Sequence, residues 1–117
     1  MIQKIIVAGS RTFTNYAILH NTLQMLTKNL PNVTIISGDA EGADSLGVKY
    51  AKEKGHDVMH FPADWNKHGK SAGYKRNVEM ADNADAVVVF WNGISKGAKH
   101  MIDIAKERKL PLRIYRF

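Results

Sequence analysis

Five short apolar runs, four of them leading through a polar turn into a helix-patterned stretch, constrain this chain more than any other feature. The clearest run is Ala84–Trp91, Ala-Asp-Ala-Val-Val-Val-Phe-Trp. β-Branched and aromatic residues in unbroken succession are the mark of a strand buried on both faces. Lys4–Ala8 and Val33–Ser37 share that pattern, and Pro111–Arg116 gives a last strand. Asp57–Phe61 is weaker, because His60 interrupts its apolar pattern. Between the runs lie helical stretches. Tyr16–Asn29 carries Tyr16, Leu19, Leu23, Leu26 and, just beyond its end, Leu30 on one face, with Asn15 as N-cap and Pro31 following. Gly42–Lys54 turns Ala43, Leu46, Tyr50 and Ala51 inward and stops at Gly55. Lys70–Asn83 is expected to bury Tyr74, Val78 and Ala81, and Gly97–Arg108 forms the fourth helix. Pro62–Gly69 reads as a loop, and Met25, Met59, Met80 and Met101 read as core fillers.

Strands alternating with helices in segments of this length mean a parallel α/β sheet covered on both faces. The expected fold is a Rossmann-like three-layer αβα sandwich on a five-stranded parallel sheet. The order 3-2-1-4-5 is favoured over a flavodoxin-like one. At 117 residues the chain reads as one domain, residues 1–117. It has no cysteine, which excludes disulfides and thiolate metal sites. The first residues enter a strand at once, unlike a signal peptide, and no apolar run approaches the ~20 residues that span a bilayer. A cytoplasmic protein without membrane contact is therefore expected. Seventeen Lys plus Arg against eleven Asp plus Glu give a net charge of +6. That balance fits an anionic partner as readily as a generally basic surface.

In such a sheet ligands bind outside the carboxyl ends of the strands, at the switch in strand order. The unusual polar clusters all fall in loops after strands. After the first come Gly9, Ser10 and Arg11: a close backbone turn, a hydroxyl and a forked guanidinium suited to phosphate or ribose. After the second comes Ser37-Gly-Asp-Ala-Glu-Gly-Ala-Asp44, in which Gly38, Gly42 and the following helix N-terminus suggest a phosphate cradle. Its acids Asp39, Glu41 and Asp44 would serve the helix dipole, accept from ribose hydroxyls or hold Mg²⁺ beside a phosphate. After the third, Asp64 and Trp65 stand with Asn66, Lys67 and His68, and Trp65 offers either a stacking face or a cover for the sheet edge. The next helix carries Lys75, Arg76, Asn77 and Glu79, where Arg76 and Glu79 also suit a surface ion pair. After the fourth, Trp91, Asn92, Gly93, Ser95 and Gly97 form a second glycine turn into a helix, kept basic by Lys96, Lys99 and His100. The five histidines lack metal spacing, so no resident metal is expected, and Mg²⁺ enters only as a companion of a phosphate ligand. Gly-x-Ser-x-Gly, Walker A and Gly-x-Gly-x-x-Gly motifs are absent.

Val7–Phe13, Ser37–Asp44, Phe61–Trp65, Arg76–Met80 and Ala84–Trp91 with its glycine turn, taken together, resemble the YspA-type branch of the SLOG superfamily over nearly the whole chain. The resemblance implies a Rossmann-like domain binding nucleotides or nucleotide-derived, ADP-ribose-like molecules, in a superfamily whose members often form homo-oligomers. Ser37–Asp44 is also similar to the Ser-Gly-x-Ala-x-Gly-x-Asp run of the single-stranded-DNA-binding protein DprA. Arg76 with Met80 resembles the Arg-Lys-x-x-Met segment of the LOG phosphoribohydrolases, in which the matching arginine acts in the active site. The LOG glutamate that follows the glycine turn has no counterpart here, since Lys99, His100 and Met101 stand in its place. Three functions follow. The first is a domain that senses or sequesters a small nucleotide. The second is an N-glycosidase acting on a nucleoside phosphate, with Arg76 and a carboxylate, Glu79 or Asp44, as catalytic groups. The third is single-stranded nucleic-acid binding with Trp65 and Trp91 as stacking platforms.

Overall fold

The computed structural model describes residues 3–117. Its elements run β1 (Gln3–Gly9), α1 (Tyr16–Thr27), β2 (Val33–Ser37), α2 (Ala43–Lys54), β3 (Asp57–His60) and α3 (Trp65–His68). A 3₁₀ turn (Gly69–Ser71), α4 (Ala72–Asn83), β4 (Ala86–Trp91), α5 (Lys96–Glu107) and β5 (Leu112–Arg116) complete them. The strands form one sheet in the order β3-β2-β1-β4-β5, every pair parallel. This is the expected Rossmann-like sandwich.

Alternation along the central strands divides the core. Ile5 and Val7 of β1 and Val88 and Phe90 of β4 join Leu19, Leu23, Tyr50 and Ala51 on one face. Ile6 and Ala8, with Val87 and Val89, join Met80, Met101, Ile102 and Ala105 on the other. Successive strand side chains point to opposite faces, so each unbroken apolar run feeds both helical layers at once. The helices α1 and α2 cover one face, and α4 and α5 the other. The chain crosses between layers after β3, which leaves a crevice beside the carboxyl ends of β1 and β4. Asn15 caps α1 by accepting from the Ile18 N–H at 3.1 Å, and Gly55 ends α2 in the left-handed conformation, both as expected.

Three expectations need correction. Met25 is 70% exposed. It lies two residues beyond Leu23, about 200° around the helix, on the face opposite the stripe Leu19–Leu23–Thr27. The stretch Pro62–Gly69 is not all loop, since Asp64 caps the short helix α3 through the Lys67 N–H at 3.0 Å. The following helix accordingly begins at Ala72 and is rotated from the expected face. Ala72, Asn77, Met80 and Ala81 are buried, whereas Tyr74 and Val78 are exposed. Polar Arg76 and Asn77 lie on the inward side of α4 because that side meets the crevice, so its apolar pattern misleads.

Helix α2 packs tightly on β1 at Gly47, where an added Cβ would lie 2.8 Å from Cγ1 and 2.9 Å from Cβ of Val7. Val7 is fully buried and β-branched, so it has little room to turn aside. Alanine gains up to ~1 kcal/mol of helix propensity over glycine, but overpacking a tight core costs ~1–3 kcal/mol. Gly47→Ala is therefore expected to lower the urea-unfolding stability by about 1–2 kcal/mol. A stability equal to or above the wild type would show that α2 can ride away from β1.

Candidate ligand-binding site

The loop from Ser37 to Asp44 is closed on itself. Asp44 reaches back from the first turn of α2, and its Oδ2 accepts from the Ala40 N–H at 3.3 Å. Ser37 Oγ donates to the Asp44 carbonyl at 3.3 Å and accepts from the Asp39 N–H at 3.1 Å. The Ala43 N–H is taken by the Ser10 carbonyl at 3.4 Å. The Asp39, Ala40 and Ala43 amides thus serve the protein's own groups, and the loop's own aspartate is the anion at the helix N-terminus. Asp39 adopts a left-handed φ of 60° and is held from outside by His60 Nδ1 at 2.7 Å.

Two glycines make this closure sterically feasible. Gly42 has a φ of 77°, and a Cβ there would lie 2.6 Å from the Arg11 carbonyl carbon and oxygen. A Cβ on Gly38 would run into the Arg76 guanidinium and lie 2.8 Å from Asp44 Oδ2. Gly38 therefore makes room for Arg76 and Asp44, not for the close ligand approach expected of it. Arg76 Nη1 donates to the Gly38 carbonyl. Arg76 Nε is buried and has no hydrogen-bond partner among the described residues. Burial presses the Arg76 pKa down, and the neighbouring Asp44 carboxylate works against that. Asp44 is 5% exposed. Burial pushes its pKa from 3.8 up to about 6, despite the opposing pull of Arg76 and of the Ala40 amide.

Beside this loop lies a cavity of about 420 Å³ at the carboxyl ends of β1 and β4. Ala8 and Gly9 line it from β1, Ser10 from the loop after it, and Met80, Ala98 and Met101 from the helices. Arg11, Lys70 and Arg76 contribute three cations, and Asp44 is the one carboxylate among the described lining residues. Trp65 and Tyr74, both exposed, supply aromatic faces. Ser10 Oγ accepts from the Asn92 N–H at 3.1 Å, which ties the β1 loop to the β4 loop and leaves the hydroxyl proton to be donated. Asn92 Oδ1 in turn accepts from the N–H groups of Ile94 and Ser95, each at 2.9 Å. That turn presents Ser95 and Gly97, at the start of α5, to the cavity. The Gly97 N–H belongs to the first turn of α5 and has no intrahelical acceptor.

The structure therefore brings together Gly9, Ser10, Arg11, Asp44, Trp65, Arg76, Asn92, Ser95 and Gly97. Ser37, Gly38 and Gly42 stand behind them as supports of the loop. Asp64 is exposed and serves as the cap of α3. Glu79 is exposed on α4 and is not among the cavity residues, and Arg76 turns inward to Gly38 instead of forming a surface pair with it. Trp91 and Gly93 border a separate hollow. The acids Asp39, Glu41 and Asp44 diverge, and among the described residues no three His, Asp or Glu side chains gather to hold a metal ion. Sequence reasoning missed Thr12, Ala40, Lys70, Gly73 and Tyr74 as lining residues. The spacing Gly73, Arg76, Asn77, Met80 is a helical stripe through Arg76 and was the available signal.

Comparison with known proteins agrees with this architecture. The chain belongs to the YspA, cpYpsA-related SLOG family, whose model matches residues 3–68. That membership supports a nucleotide-related function in general. The chain is also similar to the Gene 61 protein of Mycobacterium phage D29, at 29% identity over 119 residues covering 95% of this chain and 94% of the phage protein. No solved structure gives a significant match. The family match spans β1 to α3 and stops before α4, so Arg76 and the Asn92–Gly97 turn lie beyond it.

The buried carboxylate gives the site a pH signature. With a folded pKa of about 6 against 3.8 unfolded, Asp44 holds its proton longer in the native state. Its stabilising contribution is present below pH ~4 and is lost as pH rises through ~6. Asp44→Asn keeps an oxygen for the Ala40 N–H without the ionisation. Relative to wild type, the variant should gain on the order of 3 kcal/mol between pH 4 and pH 7. Denaturant titrations across that range measure the difference, and parallel curves for the two proteins would show that Asp44 ionises normally.

Proposed function

We propose, with family membership as the premise, that this chain binds a nucleotide or nucleotide-derived ligand in the crevice above β1 and β4, as a sensing or sequestering domain. The observation carrying this reading is the gathering of Arg11, Lys70 and Arg76 around one cavity with Trp65 and Tyr74. Cations and N–H donors suit a phosphate, while an aromatic face suits a base. A cavity of about 420 Å³ also falls in the usual range for small-ligand sites. In this reading the phosphate meets Arg11, Lys70 and the Ser95–Gly97 turn, and the base meets Trp65 or Tyr74. Mg²⁺ would accompany a phosphate and has no protein cage of its own.

A second reading, cleavage of an N-glycosidic bond in a nucleoside phosphate, is favoured by Asp44 alone. A carboxyl group titrating near 6 inside a cavity has the proton affinity a general acid or base needs. Glu79 stands outside the cavity, so Asp44 would work without a second carboxylate. The DprA-like reading draws less support. Trp65 and Trp91 border different hollows, and the Arg116 guanidinium lies over the Trp91 ring at 5.2 Å.

Calorimetric titration with nucleoside monophosphates, their phosphate-free nucleosides and a short single-stranded oligonucleotide tests these readings. A nucleoside phosphate is expected to bind, and Arg11→Ala to weaken it by about 1.5–3 kcal/mol, the scale of a hydrogen bond to a charged group. Arg11 is the better probe than Arg76, whose removal would also free the Gly38 carbonyl. Equal affinity for the phosphate-free nucleoside, or no loss with Arg11→Ala, would remove phosphate from the site. Release of free base would establish cleavage. Binding of the oligonucleotide alone, with a log–log salt slope near −0.7 per phosphate contact, would turn the assignment to nucleic acid.

A further inference from the structure

Tyr74 belongs to two hollows at once. It borders the cavity just described and also a shallower one of about 460 Å³ running over the start of α5. The second hollow is lined by Trp91, Ile94, Lys96 and His100, with Lys99 held by Asp103 at 2.9 Å. The two hollows are thus neighbours across one aromatic ring, and the Ser95–Gly97 turn forms a ridge between them, with Ser95 and Gly97 on one side and Lys96 on the other.

The second hollow has its own recognition chemistry. Asn77 Nδ2 donates to the Gly97 carbonyl at 3.2 Å, which fixes its amide orientation, and reaches His100 Nδ1 at 3.1 Å. An amide nitrogen only donates, so His100 Nδ1 accepts and the ring proton sits on Nε2. Burial pushes the His100 pKa below its ordinary value, in keeping with a neutral ring. His100 packs edge-on against Tyr74 with ring centroids 4.6 Å apart. Lys96 is exposed and makes no ion pair among the described residues. Ile94 is 82% exposed, an apolar side chain at the edge of a hollow that already offers a ring donor and a cation.

We propose that the ligand of the main cavity is a two-part molecule of the dinucleotide class. One nucleoside occupies the main cavity, the linking phosphate crosses the ridge beside Tyr74, and the second nucleoside rests in the Ile94–Lys96–His100 hollow. The two spaces are similar in volume and share a wall, and each pairs aromatic surface with cationic or N–H donors. A mononucleotide would leave the second set of donors unused. This inference rests on the proposed nucleotide reading.

The test compares AMP and GMP with diadenosine and diguanosine pyrophosphate by calorimetry on the full chain. The pyrophosphate-linked compound of the preferred base is expected to bind at least about tenfold tighter than its monophosphate. Ile94→Asp and Ile94→Ser, at an exposed position that borders only the second hollow, should each erase that advantage and leave the monophosphate Kd within about twofold. Equal affinity of the two compounds for wild type, or an advantage that survives both variants, overturns the inference and leaves the nucleotide reading intact. Binding of none of the four compounds sinks both.

Discussion

Asp44 and the loop it closes are the constraint on which the site depends. A carboxylate removed from water is costly unless it is paired and hydrogen-bonded. Here it accepts from the Ala40 amide and sits near the Arg76 guanidinium, yet burial still raises its pKa to about 6. The arrangement persists because other groups over-determine it. Ser37 Oγ bonds both ends of the loop, His60 holds Asp39 in its left-handed conformation, and Gly42 allows α2 to start against the Arg11 backbone. Arg76, from the opposite layer, then docks on the Gly38 carbonyl and locks α4 to β2. The Arg76 side chain therefore ties α4 to the loop that Asp44 closes, across the carboxyl ends of the strands.

That closure moves the anion-binding chemistry sideways. A strand, a glycine turn and a helix N-terminus are enough to suggest a phosphate cradle, and the Ser37–Asp44 run has all three. Its Asp39, Ala40 and Ala43 amides, however, are already taken by Ser37, Asp44 itself and Ser10. The donors that remain face the cavity from Arg11, Lys70 and the Asn92–Gly97 turn. Ser10 joins the two regions, since its carbonyl receives the Ala43 amide while its hydroxyl receives the Asn92 amide. The acidic loop is best understood as the wall that fixes the cavity's shape and supplies its one carboxylate.

The sheet was fully legible because unbroken apolar runs such as Val87–Phe90 report burial on both faces, whatever the ligand. Right-handed crossovers narrowed the strand order without separating the Rossmann-like from the flavodoxin-like arrangement, and the favoured 3-2-1-4-5 is the one observed. The site was legible as a set of loops, which is what the doubly wound topology dictates, but not as a set of roles. Gly38 looks like an opening for a ligand until Arg76 is seen beside it, a contact between residues 38 positions apart. Helix α4 misled for a related reason. Its inward stripe carries Arg76 and Asn77, and its outward face carries Tyr74 and Val78, so local hydrophobicity points the wrong way. Lys70 and Tyr74 were missed because a 3₁₀ turn and a short helix, not a plain loop, set where α4 begins.

The boundary of the family match divides the site along the same physical line. Residues 3–68 contain β1, the self-closing Ser37–Asp44 loop and Trp65, the parts that build the wall and the floor. Three of the groups facing the cavity, Lys70, Arg76 and the Asn92–Gly97 turn, come from the remainder, together with Tyr74 and the whole of the second hollow. The Asp39, Ala40 and Ala43 amides of that loop each have an acceptor in the loop or in the β1 turn. On the α4–α5 side the backbone is tied too, at Asn92, Ile94 and Ser95, but the side chains are freer: Lys70 and Lys96 are exposed, and Ile94 is almost wholly so. In the proposed reading, discrimination among ligands therefore falls to the α4–α5 side, with the Ser37–Asp44 loop as the fixed surface against which that side works.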